Sequence, residues 1–360
     1  MRSRPRLLLV AAAGVATVLA IGAVSAGAVT DSPGAALGAS TTHRAQAAQR
    51  PGTAAHPHGA ATPHRAAASH RAATPVPGAW VSVDPAQQAR DTKAFFARTP
   101  APVAASNPRT APEFHALCKT YHHASDDPIV FPGRAGASHN HTFFGNASTN
   151  ADSTLQSLDA GAGTCAPAQD HSAYWIPTLH SHGKVVDPKE VTIYYGTNLT
   201  DHAKIQPFPR GLRMIVGDPA KQTGTDNSHF FCAGGAGEQG RTADGLFPVC
   251  GAGANLVRYI VFPECWDGVH LDSPDHKAHM ATGIGGGVCP ADHPVPLPTL
   301  VYVLSYPDAL GHDPAAITLS SGTIHSLHAD FVNAWEPDAL AQRVRDCLDQ
   351  HVKCNAEGQM

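Results

Sequence analysis

Asn255-Leu-Val-Arg-Tyr-Ile-Val-Phe262 and Thr299-Leu-Val-Tyr-Val-Leu-Ser-Tyr306 decide the fold. Both runs are short, rich in β-branched and aromatic residues, and flanked by Pro or Gly, which is how strands of a β-rich core read. Glu190-Val-Thr-Ile-Tyr-Tyr195 and Gly211-Leu-Arg-Met-Ile-Val216 repeat the pattern. Helical periodicity is nearly absent until Trp335. After it, Pro337 suits the first turn of a helix, and Leu340, Val344 and Leu348 recur at helical spacing, predicting a helix to about Asp349. The expected fold is all-β: a β-sandwich or jelly-roll-like domain with long loops and a short C-terminal helix. It should occupy residues 111–360, about 250 residues and enough for one large core.

The N-terminal stretch has a different chemistry. Arg2, Arg4 and Arg6 precede an uncharged apolar run from Leu7 to Ala26, with small residues at Val24-Ser25-Ala26 and Ala26-Gly27-Ala28 for a signal peptidase. Residues 1–28 therefore read as a cleaved export signal. The alternative is a retained anchor, since about 20 apolar residues can just span a bilayer. Residues 29–110 read as a tether rich in Ala, Pro and His, too poor in large apolar side chains through its first half to offset the entropy of ordering. Near its end, Asp84–Arg98 predicts a short amphipathic helix with Phe95 and Phe96 as its apolar contacts.

Charge divides at the same place. Residues 1–110 carry 11 Lys+Arg against 3 Asp+Glu, whereas residues 111–360 carry 14 against 26. A basic arm suits anionic wall polymer or lipid headgroups, while an acidic domain repels phosphate and argues against nucleic acid as its partner. No stretch after the signal is long and apolar enough to span a membrane, and a monomer is expected. All eight cysteines follow residue 110, namely Cys118, Cys165, Cys232, Cys250, Cys265, Cys289, Cys347 and Cys354. An even set with no Cys-x-x-Cys, in an exported chain, predicts disulfides rather than zinc; spacing does not choose the pairing.

Several phrases are more specific than composition. They include Phe262-Pro-Glu-Cys-Trp-Asp-Gly268, Leu271-Asp-Ser-Pro-Asp-His-Lys-Ala-His-Met280, Cys289-Pro-Ala-Asp-His-Pro-Val-Pro-Leu-Pro298, Ser138-His-Asn-His-Thr-Phe-Phe-Gly145, Ser172-Ala-Tyr-Trp-Ile-Pro-Thr-Leu179 and His328-Ala-Asp-Phe-Val-Asn-Ala-Trp335. Together they resemble the secreted bacterial and fungal family called domain of unknown function 1996 (DUF1996), over about residues 126–354. The resemblance implies an extracellular or wall-associated setting. It carries no established reaction.

Three of these phrases concentrate histidine and carboxylate. On a strand, His139 and His141 share a face, as do His328 and Asp330, because side chains alternate. His276 and His279 would meet on one helical turn, beside Asp272 and Asp275, which either bind a ligand or cap a short helix behind Pro274. His139, His141, Asp272, Asp275, His276 and His279 are thus the catalytic candidates. His139, His141, His276, His279, His328 and Asp330 are the metal candidates, of the kind that hold one divalent zinc, copper or manganese ion. Tyr174 and Trp175 are candidate stacking faces for sugar rings, and Arg213 and Lys277 candidate partners for anionic sugars. Asp267-Gly268 reads as a turn. No Gly-x-Ser-x-Gly elbow and no phosphate loop are present. The expected function is that of a secreted protein acting on or at cell-wall polysaccharide through a His/Asp-rich groove, as hydrolase or lyase; a glycan-binding or wall-structural module is the alternative.

Overall fold

A computed structural model describes residues 78–103, 111–223, 229–234, 247–307, 310 and 313–360. The export signal and the tether as far as residue 77 lie outside the described residues. Most strands fall in two antiparallel sheets of five. Numbered in chain order, they are β1 (Phe114–Cys118), β2 (Thr120–Ala124), β3 (His141–Gly145), β4 (Ala173–Pro177), β5 (Glu190–Gly196), β6 (Arg213–Gly217), β7 (His229–Ala233), β8 (Asn255–Val261), β9 (Thr299–Ser305) and β10 (His328–Val332). The first sheet runs β7-β8-β9-β5-β1 and the second β2-β3-β4-β10-β6. The four runs read as strands from sequence are β8, β9, β5 and β6.

Why the sheets stack follows from alternation. Ile193 and Tyr195 of β5, Leu300, Tyr302 and Leu304 of β9, and Leu256 and Ile260 of β8 face one way. They meet Phe144, Tyr174, Ile176, Met214, Ala329 and Phe331 of the second sheet in one buried cluster. Tyr302 packs edge-on against both Phe144 and Tyr174, at ring distances of 5.6 and 5.7 Å. The hydroxyls of Tyr174 and Tyr195 in this layer are paired, as burial favours. The Tyr174 hydroxyl donates to Asp170 at 2.5 Å and lies 2.6 Å from that of Tyr195, which also accepts from Trp335 Nε1 at 2.8 Å.

The second sheet is buried on its other face too. Phe143, Trp175, Ile215 and Val332 form a separate cluster, covered by Ile129 from the loop after β2 and Leu158 from helix α2 (Leu155–Ala160). This doubly buried sheet carries the candidate site, because its outer face also presents His141, His328 and Asp330.

Helix α1 (Pro85–Phe96) forms where the sequence predicts it, with the Asp84 carboxylate accepting from the backbone of Ala86 and Gln87 and Pro85 at the first position. Phe95 is buried in the main core, but Phe96 is 42% exposed, so only one of the two expected contacts is made. Val81–Ser82 also pairs with His270–Asp272, and the folded part therefore starts well before residue 111. Helix α3 (Pro337–Arg343) begins at the expected proline and continues through a wider turn to Leu348, burying Leu340, Val344 and Leu348.

All eight cysteines are paired with their sequence neighbours: Cys118–Cys165, Cys232–Cys250, Cys265–Cys289 and Cys347–Cys354. No helix among the described residues is long and apolar enough to cross a membrane.

Candidate functional site

Strand register builds the site. His141 on β3 pairs across from Pro177 of β4, and Asp330 on β10 pairs across from Trp175. Continuing that antiparallel register by two residues brings His328 level with Pro177 from the opposite side. His141 and His328 thus flank one position of the central strand and lean over it toward each other. His139 comes from the loop just before β3, rather than from the strand as expected, yet its ring centroid lies 4.3 Å from that of His141.

The three rings converge through their Nε2 atoms. His328 Nε2 lies 3.1 Å from His139 Nε2 and 3.2 Å from His141 Nε2. The other nitrogen of two rings is fixed by backbone: His141 Nδ1 donates to the Asp126 carbonyl and His328 Nδ1 to the Ser326 carbonyl, both at 2.9 Å. A carbonyl only accepts, so these two rings carry their proton on Nδ1 and turn an Nε2 lone pair inward. Burial lowers all three pKa values: His139 to about 4, His328 to about 3, and His141 well below its ordinary value. The cluster is therefore neutral above mildly acidic pH.

Asp330 stands beside it, with a carboxylate oxygen 3.9 Å from His328 Nε2. It is fully buried and neither oxygen has a hydrogen-bond partner, and burial pushes its pKa well above the carboxylate range. The opposite sheet fixes this strand by its backbone, since the Tyr302 hydroxyl donates to the Asp330 carbonyl at 2.7 Å.

His139, His328 and Asp330 open onto a cavity of about 450 Å³, whose remaining wall includes Asp127, Phe131, Ser138, His276 and Lys277. His276 holds a left-handed backbone (φ +59°), which suits few non-glycine residues. Its Nδ1 lies 2.8 Å from an Asp272 oxygen, and Arg213 holds the other oxygen at 3.2 Å. Lys277 donates to the Gly217 carbonyl through Nζ. A second cavity, of about 410 Å³, lies beneath α1; it contains no histidine, and its Asp338 is paired with Arg98.

The remaining candidates divide. Residues 273–279 form turns, not a helix, so His276 and His279 do not share a helical face. His279 is buried with Nδ1 against the Ser273 hydroxyl (2.9 Å) and Nε2 against the Arg213 carbonyl (2.7 Å), leaving it no free ligand atom. Asp275 accepts from the backbone of Lys277 and Ala278 and from the Ser273 hydroxyl, which makes it a turn cap. Asp272 holds His276 and is itself held by Arg213, so both act as supports. Tyr174 and Trp175 are wholly buried in the two core layers and offer no face to a sugar. Asp267 accepts from the backbone of Val269 and His270, the turn its Asp-Gly pair predicts.

Sequence reasoning missed Asp126 and Ser326, whose carbonyls set the two ring tautomers, and Asp127, which lines the cavity and accepts from Ile129 and Val130. The Asp126-Asp127-Pro128 run just after β2 was a signal for a structured turn; nothing marks a backbone carbonyl in advance.

Residues 127–335 match the family whose description is Domain of unknown function (DUF1996). No curated protein and no solved structure matches the chain. The matched span exceeds half of the chain and contains the three clustered histidines, Asp330 and the whole 273–279 turn, and the chain therefore belongs to the DUF1996 family.

Proposed function

We propose that this domain is an enzyme of the cell exterior that acts on polysaccharide, as hydrolase or lyase, within the cavity between the histidine cluster and the 273–279 turn. The observation that carries this reading is His276. A buried carboxylate orients its Nδ1, and its Nε2 has no protein partner among the described residues, in the wall of a cavity that also holds His139, His328 and Asp330. A carboxylate-oriented imidazole is a general acid–base, and sugar-polymer cleavage by either route is proton transfer to and from oxygen or carbon. Lys277 supplies a cation at the same wall, which favours substrates with acidic sugars. The extracellular setting rests on the leader and on the disulfide pairing.

Burial of Tyr174 and Trp175 weighs against a module that binds glycan by ring stacking. A compact cavity of this size favours a chain end or a side group over an extended groove. The test is incubation of the purified chain with a panel of bacterial, fungal and plant wall polysaccharides, followed by mass spectrometry of released oligosaccharides and ultraviolet detection of unsaturated products. Release that His276→Ala reduces at least a hundredfold is expected. Retention of polysaccharide with no product from any member of the panel would replace this reading with the binding module.

A further inference from the structure

We propose that His139, His141 and His328 are the ligands of one divalent transition-metal ion, with Asp330 as the carboxylate that balances its charge. As the cofactor of the reaction above, the ion rests on the polysaccharide reading; as a binding site it stands on geometry alone.

The first argument is a proton count. His141 and His328 both present an Nε2 lone pair to the cluster, because each has spent its proton on a backbone carbonyl. His328 Nε2 nevertheless has two nitrogen neighbours, at 3.1 and 3.2 Å. His139 can place one proton on its own Nε2 and satisfy one contact. The His141–His328 contact then remains lone pair against lone pair, an arrangement that a shared metal ion resolves without charging a buried ring. The two measured nitrogen separations, 3.1 and 3.2 Å, are close to the ~3.4 Å between nitrogens about a common tetrahedral ion with bonds of about 2.1 Å.

The second argument is independent of the first. The Asp330 carboxylate is wholly buried with both oxygens unpartnered, a state that costs several kcal/mol unless a cation compensates it or a proton neutralises it. Its separation of 3.9 Å from His328 Nε2 puts that cation at the histidine cluster. Carbonyl groups that fix the tautomers of His141 and His328 are the usual outer support of imidazole ligands. A set of neutral imidazoles with one carboxylate and no thiolate selects zinc or copper(II) over magnesium or calcium. Three protein nitrogens leave positions for water or substrate, as in catalytic rather than structural sites.

The experiment is metal titration of the tag-free full chain, stripped with chelator, using zinc chloride and copper(II) sulfate as probes and magnesium chloride as control. Histidines of the tether, His43, His56, His58, His64 and His70, add weak background binding, so the readout is the difference between the wild type and its variants. The wild type should bind one zinc or copper ion more than His139→Ala, with a thermal shift that the variant lacks. His139 lies on a loop and is half-buried, so this variant should keep the fold. His141→Gln should lose the same ion, and His279→Gln, outside the cluster, should keep it. Copper-loaded wild type should show nitrogen hyperfine splitting from imidazole, lost in His139→Ala. Equal stoichiometry in wild type and His139→Ala would overturn the site. A tight ion with no polysaccharide release would leave the site standing and remove the polysaccharide reading; release that survives both chelator and His139→Ala would keep the polysaccharide reading and overturn the ion's role as its cofactor.

Discussion

His328 holds a neutral ring where an exposed histidine would titrate. Burial, chiefly, takes its pKa from 6.5 to about 3. Between those two values the unfolded chain binds a proton that the folded chain refuses, so stability contributed by this residue is whole above pH 6.5 and declines as the pH falls toward 3. In metal-free protein, the wild type should lose stability relative to His328→Gln by about 1.4 kcal/mol for each pH unit below 6.5. Urea unfolding of both proteins at pH 7, 6 and 5 measures it, and parallel pH dependences would show that the imidazole is charged in the fold. Buried carboxylates such as Asp170, which burial raises to about 6, shift both proteins alike and cancel in the difference. At this scale the sequence was informative in part. Alternation put His328 and Asp330 on one face, and the His-x-His spacing marked His139 and His141. The convergence of the two phrases depends on a strand pairing between distant segments, which no local pattern encodes. Tyr174 and Trp175 misled because the same aromatic side chain suits a binding face and a core layer.

Among the elements, β6 and β10 show how narrow the tolerance of the site is. Gly217 ends β6 directly opposite His328 in the register. Its φ is +85°, and a Cβ there would clash with the Leu327 carbonyl and come within 2.7 Å of His328 Cα. Gly217→Ala should therefore cost about 3 kcal/mol, combining left-handed strain of about 1 kcal/mol with overpacking of about 2 kcal/mol. Gly183 is a matched control, with φ +72° and no atom within 4 Å of the position a Cβ would take, so Gly183→Ala should cost only about 1 kcal/mol. Denaturant midpoints compare the two, and equal losses would mean that β10 shifts freely. Strands β5, β8 and β9 were legible because apolar runs between turn residues need no partner to be recognised. The turns of residues 273–279 were not, because Asp, Ser and His at short spacing also suit a helical turn, and the sequence left Asp275 open between ligand and helix cap.

Across the whole molecule, the disulfides divide the work of stabilisation by the length of chain each one closes. Neighbouring cysteines pair throughout, so no bridge encloses another, and each constrains its own stretch of the unfolded chain. Cys118–Cys165 spans a separation of 47 residues and Cys347–Cys354 one of 7. Loop-closure entropy then assigns about 4 kcal/mol to the first and about 2.5 kcal/mol to the second. All four of these cysteines are buried, so replacing either pair with alanine loses similar packing and the difference between the pairs isolates the loop term. Urea midpoints of Cys118→Ala/Cys165→Ala should fall further below the wild type than those of Cys347→Ala/Cys354→Ala. The reverse order would mean that structure retained in the unfolded chain, rather than loop length, decides what each bridge contributes. The longer bridge also ties β1, in one sheet, to the segment just before β4, in the other. Its loss should therefore loosen the strand that lies between His141 and His328, and metal uptake should weaken in that variant while the C-terminal pair leaves it unchanged.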